Sequence, residues 1–162
     1  MIYHQLYGIP VKIVRPFNVY GPGMKENDYR VIPTFMTKLI RGESLPVYDK
    51  GNQTRTFCYI TDAIQGFMKI LVRGRNGEAY NVGSDNGEIN MVSLATLLNQ
   101  LFSKSAPIQL TDYPDSYPAG EPQRRCPDLT KIKKELEFSP TVDLAIGLTR
   151  TLAWYQEELN RA

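Results

Sequence analysis

The strongest constraint on the fold is a repeated change of hydrophobic period along the chain. Short apolar runs at 11–14, Leu45–Tyr48, 54–60 and Ala79–Val82 read as strands, and they alternate with stretches of helical spacing. Residues 1–7 read as a helix end closed by Gly8. Val31, Ile32, Phe35, Met36, Leu39 and Ile40 share one helical face, with Pro33 in the first turn and Gly42 as the stop. Asp49, Lys50, Gly51 and Asn52 form a turn. Thr61 or Asp62 is expected to cap a helix whose inner face is Ile64, Phe67, Met68 and Leu71. Leu94, Leu97, Leu98, Leu101 and Phe102 mark another helix. Asp128 caps a short one reaching Leu136, and Leu144, Leu148, Leu152, Tyr155 and Leu159 give the last. Residues 106–127 carry five of the eleven prolines and read as a loop. Strand and helix in this order predict an α/β protein.

The size, 162 residues, fits one domain or one large piece of a larger one. A 42% hydrophobic content suffices for a core. The 19 basic and 17 acidic residues nearly balance, which argues against a dedicated nucleic-acid binder. No segment is apolar enough for a membrane span, and the first residues do not have the form of a secretory signal, so a cytoplasmic protein with no membrane partner is expected. Cys58 and Cys126 with the single His4 cannot build a usual structural zinc site, and reduced thiols are expected. Cys58, in an apolar strand, reads as a core thiol, and His4 as a surface helix residue.

Three groups of residues carry possible chemistry. The run Arg15-Pro16-Phe17-Asn18-Val19-Tyr20-Gly21-Pro22-Gly23 follows a buried strand, the place where open α/β sheets bind ligands. The Asn18 amide can donate and accept, which suits a phosphate or sugar oxygen, or else Asn18 is a turn former beside Gly-Pro. Arg30, Arg55, Arg124 and Arg125 sit at element boundaries, where a guanidinium fork suits phosphate, although solvated surface is the common fate of any one arginine. Tyr48 beside Gln53 could stack on and hydrogen-bond a nucleobase, while the blander alternative is a half-buried strand tyrosine.

Four blocks in order, RPFNVYGPG at 15–23, LPVY with GNQTRTFCYITD at 45–62, YNVG at 80–83 and RRCPD at 124–128, resemble the NAD-dependent epimerase/dehydratase family of extended short-chain dehydrogenases/reductases. The resemblance runs from about residue 8 to the end. It is nearest to UDP-glucuronate decarboxylases through the runs 28–31 and 123–128, then to dTDP-glucose 4,6-dehydratases. It implies the last strands of a Rossmann-type parallel sheet plus the small C-terminal α/β substrate-binding domain, without the N-terminal Rossmann half. Residues 1–24 would be the tail of the NAD-binding domain and 25–162 the substrate-binding domain, with 61–83 packing back on the Rossmann sheet. Asn18 would contact the substrate diphosphate. Val31, Ile32, Phe35 and Met36 would frame the nucleobase pocket, completed by Tyr48 and Gln53. Arg55 and Arg125 would clamp phosphate, with Arg124 as the alternative if the register slips by one. Val19 and Arg30 would lie near NAD. The ligand implied is a UDP- or dTDP-sugar, and the assembly a homo-oligomer.

The resemblance also implies C4 oxidation of the sugar by hydride transfer to NAD, followed by decarboxylation, dehydration or epimerisation. The family's G-x-x-G-x-x-G loop is absent here, and none of the ten tyrosines has a lysine four positions later. The chain is therefore expected to be the substrate-binding part of such an enzyme, with no catalytic residue of its own and no productive hold on NAD alone. The alternative is a non-catalytic nucleotide-sugar binding module or partner subunit.

Overall fold

The computed structural model describes residues 2–114 and 120–161, with the side chains of 160 and 161 left aside. In chain order the elements are α1 (Ile2–Tyr7), β1 (Ile13–Pro16), β2 (Val19–Tyr20), α2 (Val31–Arg41), β3 (Leu45–Tyr48), β4 (Thr54–Arg55), β5 (Cys58–Tyr59), α3 (Ile60–Arg73), β6 (Ala79–Val82), β7 (Ile89–Asn90), α4 (Met91–Leu101), β8 (Ile108–Thr111), β9 (Arg124–Arg125), α5 (Thr130–Leu136) and α6 (Leu144–Arg161). The strands are α/β in arrangement: β1 pairs with β6, β2 with β5 and β3 with β8, all parallel. A three-stranded sheet in the order β7-β4-β9 joins an antiparallel and a parallel pairing on the central strand β4.

Two apolar clusters hold these pieces. One lies around β1 and β6, where Tyr80, Val82, Ile70, Ile132 and Phe138 pack together. The larger one joins α2, α4 and α6 through Phe35, Met36, Leu39, Leu94, Leu98 and Leu148. Each such side chain, taken fully out of water, contributes about 1.5–3 kcal/mol. Gly42 takes the left-handed conformation (φ 71°) expected of the α2 stop. Gly51 (φ 68°) turns β3 into β4 so tightly that a Cβ there would lie 2.5 Å from Val47 Cγ1 and 2.6 Å from Val92 Cγ2.

Several sequence expectations are corrected. The first strand is 13–16 rather than 11–14, because Glu78 and Val82 carbonyls bond the amides of Ile13 and Phe17 along β6. The strand expected over 54–60 divides into β4 and β5, which serve different partners. The proline-rich stretch 106–127 is not all loop, since β8 and β9 lie within it. α3 buries Asp62, Ala63, Gly66 and Ile70, while Ile64, Met68 and Leu71 are half to two-thirds exposed. Small residues let α3 approach β6: a Cβ on Gly66 would meet Val82 Cγ1 at 2.8 Å. The outer face of α3, together with Ile2, Tyr3, Leu6 and Tyr7 of α1, is exposed apolar surface.

Asp62 is not a cap either, because the N-cap of α3 is Tyr59. Its carboxylate, 4% exposed, accepts from the Thr141 and Val142 amides at 2.9 Å each and from the Thr141 hydroxyl at 3.0 Å. It thereby fixes the approach to α6 while standing in the electropositive first turn of α3. Asp128 is not the cap of α5 either: that position is Leu129, and Asp128 stands one residue earlier, its carboxylate accepting from Thr130 N at 2.8 Å. Replacing Asp62 by Ala strands two backbone amides, so Asp62→Ala is expected to destabilise the fold by about 2–3 kcal/mol in urea denaturation; an unchanged midpoint would contradict this role.

Candidate functional site

A cavity of about 430 Å³ opens between the β4–β9 sheet, the start of α2 and the end of β3. That is a size suited to a small organic ligand. Its apolar lining includes Ile32, Phe35, Val47, Phe57 and Met91, and its polar lining includes Asn18, Gln53, Arg55, Glu121 and Arg125. The cavity lies beyond the carboxyl ends of β1 and β3, as expected for an open α/β sheet.

The charged part follows from strand register. Parallel pairing sets Arg55 beside Arg125 and Thr54 beside Arg124. Successive side chains of a strand face opposite ways, so Arg55 and Arg125 share one face and Thr54 and Arg124 the other. On the far face, Glu88 accepts from the Thr54 hydroxyl at 2.5 Å and from Arg124 Nη2 at 2.8 Å. Those contacts hold the Glu88 carboxyl below its usual range. Arg124 is thus engaged away from the cavity, and of the two it is Arg125 that lines it.

On the cavity face, Arg55 is 6% exposed. Its Nη1 donates to the Thr54 carbonyl at 2.8 Å and to that of Gln123 at 3.3 Å, and its Nη2 donates to Glu121 Oε1 at 2.5 Å. The same Glu121 oxygen lies 3.7 Å from Arg125 Nη2. Two guanidinium groups therefore converge on one carboxylate oxygen. Glu121 was missed in the sequence because it falls in the proline-rich stretch, although its spacing of four residues from Arg125 was there to be seen.

Asn18 sits in the left-handed region (φ 44°), where a short amide side chain is tolerated. Its amide nitrogen donates to the Thr56 carbonyl at 2.8 Å and to the Arg125 carbonyl at 3.4 Å, and its own carbonyl accepts from Cys58 N at 3.1 Å. It thus ties the end of β1 to both β4 and β9. Gln53, 6% exposed, donates to the Tyr48 carbonyl and to the Tyr113 hydroxyl, each at 3.2 Å. The rings of Tyr48 and Tyr113 lie 5.1 Å apart and tilted by 33°. Tyr113 also escaped the sequence reading, and burial raises its phenol above the ordinary range, with Glu121 adding to the effect.

Val19, Val31, Ile32, Phe35 and Arg30 line the cavity as well. Arg30 donates to both carboxylate oxygens of Asp28, and this contact lowers the Asp28 carboxyl and raises the Arg30 guanidinium. Met36 does not reach the cavity. It is fully buried in the larger core, because it lies on the α2 face turned to the interior. Tyr155, pushed up to about 12 by burial and then by Asp28, donates to the Met24 carbonyl at 2.7 Å and so anchors the loop leading to Arg30. Cys58, 1% exposed and pushed up to about 12 by burial, is an inert core thiol.

The profile of the NAD dependent epimerase/dehydratase family matches residues 2–83. The chain belongs to that family. It is 38% identical over 157 residues to a UDP-N-acetyl-alpha-D-glucosaminuronate decarboxylase of Bacillus cytotoxicus, covering 95% of this chain and 49% of that one. It is 40% identical over 147 residues to UDP-glucuronic acid decarboxylase 5 of Arabidopsis thaliana, covering 90% and 41%. Its fold superposes on a dTDP-glucose 4,6-dehydratase of Streptomyces venezuelae, solved with NAD bound, at a TM-score of 0.87 and 31% identity, covering 99% of this chain and 48% of that one. The chain thus spans about half the length of the curated relatives it matches.

The residues present do not fit a whole NAD. Among the described residues no strand runs through a tight glycine-rich turn into a helix N-terminus: Tyr59 leads directly into α3, Asn90 closes the start of α4 by accepting from Ser93 N, and Gly21 and Gly23 after β2 lie well before Val31, where α2 begins. A dinucleotide pyrophosphate has no backbone cradle there.

The two arginines differ in how much folding depends on them. Arg55→Ala is expected to cost about 2–4 kcal/mol in urea denaturation, since it removes a buried guanidinium together with its bonds to the partly buried Glu121 carboxylate and the Thr54 and Gln123 carbonyls. Arg125, 42% exposed with its carboxylate contact at 3.7 Å, is expected to cost under about 1 kcal/mol when changed to Ala. Equal losses would contradict the separation of roles.

Proposed function

We propose that this chain is the sugar-nucleotide-binding part of an NAD-dependent sugar-nucleotide enzyme, and that its cavity takes the nucleoside diphosphate portion of a UDP- or dTDP-sugar. The observation that carries the reading is the convergence of Arg55 and Arg125 on one anion position inside a half-apolar cavity. A guanidinium pair in a partly desolvated site is well suited to a diphosphate. Asn18 holds the strands that carry both arginines and leaves its amide oxygen for a sugar hydroxyl. Val31, Ile32, Phe35 and Gln53 supply apolar contact and one amide for the base, with Tyr48 and Tyr113 as the aromatic faces. Val19 and Arg30 line the same cavity, and in this reading they face the cofactor.

In such an enzyme NAD would supply the redox exchange with the sugar. This chain's residues hold and orient the substrate for that exchange and keep water from its base. The family membership and the decarboxylase relatives favour a uronate nucleotide over a neutral one as substrate.

Isothermal titration with UDP tests the reading. UDP is expected to bind the chain and to raise its melting temperature, whereas uridine does neither. Arg125→Ala, which keeps the fold, is expected to weaken UDP binding by about tenfold or more. Failure of UDP to bind at millimolar concentration, or equal affinity for the Arg125→Ala chain, would reject it.

A further inference from the structure

The anion position between the arginines is filled by a residue of the chain itself. Glu121 Oε1 stands 2.5 Å from Arg55 Nη2 and 3.7 Å from Arg125 Nη2, and its side chain is 20% exposed. A buried guanidinium without a counter-ion is strongly unfavourable, and Glu121 supplies that counter-ion. From this geometry we infer that Glu121 is a resident competitor for the diphosphate: a ligand must displace its carboxylate from the arginine pair, and Glu121 thereby sets the charge a ligand has to bring. The inference rests on the reading of the cavity as a nucleoside diphosphate site.

Charge arithmetic supports it. Arg55 and Arg125 carry two positive charges, and Glu121 returns one negative charge to them. A single-charged ligand gains little by replacing one carboxylate with another anion of the same charge. A monophosphate dianion carries its charge on one phosphorus, whereas a diphosphate spreads charge and acceptor oxygens over two, so the diphosphate can satisfy both forks at once. Once displaced, Glu121 has a route outward, because it is only partly buried. Its neighbours on the chain, Gly120 in the left-handed region (φ 79°) and Pro122, give it a backbone setting unlike that of a fixed strand residue. Arg55 remains tied by two backbone carbonyls when the carboxylate leaves, so the site keeps its shape. The result is a binding site that is neutral enough to fold empty and that discriminates by phosphate number.

The test is titration of the 162-residue chain and its Glu121→Gln variant with UDP and with UMP. Glutamine keeps an oxygen to accept from Arg55 but not the charge, so the variant is expected to lose stability while staying folded, with Arg55 still tied to two backbone carbonyls, and a urea denaturation curve checks this. Glu121→Gln is expected to bind UDP about tenfold or more tighter, and UMP to gain by a larger factor, so that the preference for UDP over UMP shrinks. Tight binding by the variant where the unaltered chain binds poorly also supports the inference. Unchanged or weakened UDP binding in a folded variant would overturn it, and would show that Glu121 positions the arginines instead. That result leaves the diphosphate reading standing if UDP still binds the unaltered chain and Arg125→Ala still weakens it. Absence of UDP binding to both chains overturns the reading and the inference together.

Discussion

The site depends on β4 having two partners. Thr54 and Arg55 pair with Asn90 and Ile89 on one side and with Arg124 and Arg125 on the other. Two residues are a short strand, and an isolated two-stranded ladder of that length would be marginal in water. It survives because each edge is tied by side chains: Glu88 spans Thr54 and Arg124 on the outer face, Glu121 meets Arg55 and Arg125 on the inner face, and Asn18 bonds the Thr56 and Arg125 carbonyls at the end. The charge that could bind a ligand and the charge that holds the sheet together are thus the same residues seen from two sides.

Around that sheet, apolar packing does the positioning. α2 turns Met36 and Leu39 into the core while Ile32 and Phe35, also buried, border the cavity. Tyr155 of α6 and Asp62 of α3 reach across to hold chain segments that have little secondary structure of their own. At Gly83 a Cβ would come within 2.8 Å of Pro127 Cγ and 3.0 Å of Phe17 Cβ, so β6, the turn after β1 and the segment after β9 meet there only because the residue has no side chain. The YNVG and CPD blocks are thereby linked in space as well as in the family pattern.

Much of this was legible in the sequence where the signal is local. Leu45–Tyr48 and Ala79–Val82 were read to the residue because turn formers bracket them, and Gly42 announced the end of α2. Non-local pairing was not legible. β2, β7 and β9 are two residues each, too short for a period, and exist only through partners far along the chain. The choice between Arg124 and Arg125 needed the register of β9 on β4. The buried face of α3 was misassigned because large apolar residues occur on both sides, and the sequence does not say that Ala63 and Gly66 face the closest neighbour. Glu121 and Tyr113 were hidden by their place in a stretch whose prolines suggested loop.

The central claim is that residues from separate parts of the chain meet at one diphosphate-sized position. Side-chain NMR of the chain, following the Nε resonances of arginine and the amides of asparagine and glutamine during addition of UDP, tests it most directly. The account predicts that Arg55 and Arg125 shift together along one binding curve with Gln53, while Arg124, Arg75 and Arg41 stay where they are. Shifts scattered over the outer arginines, or Arg55 and Arg125 responding with different affinities, would contradict it.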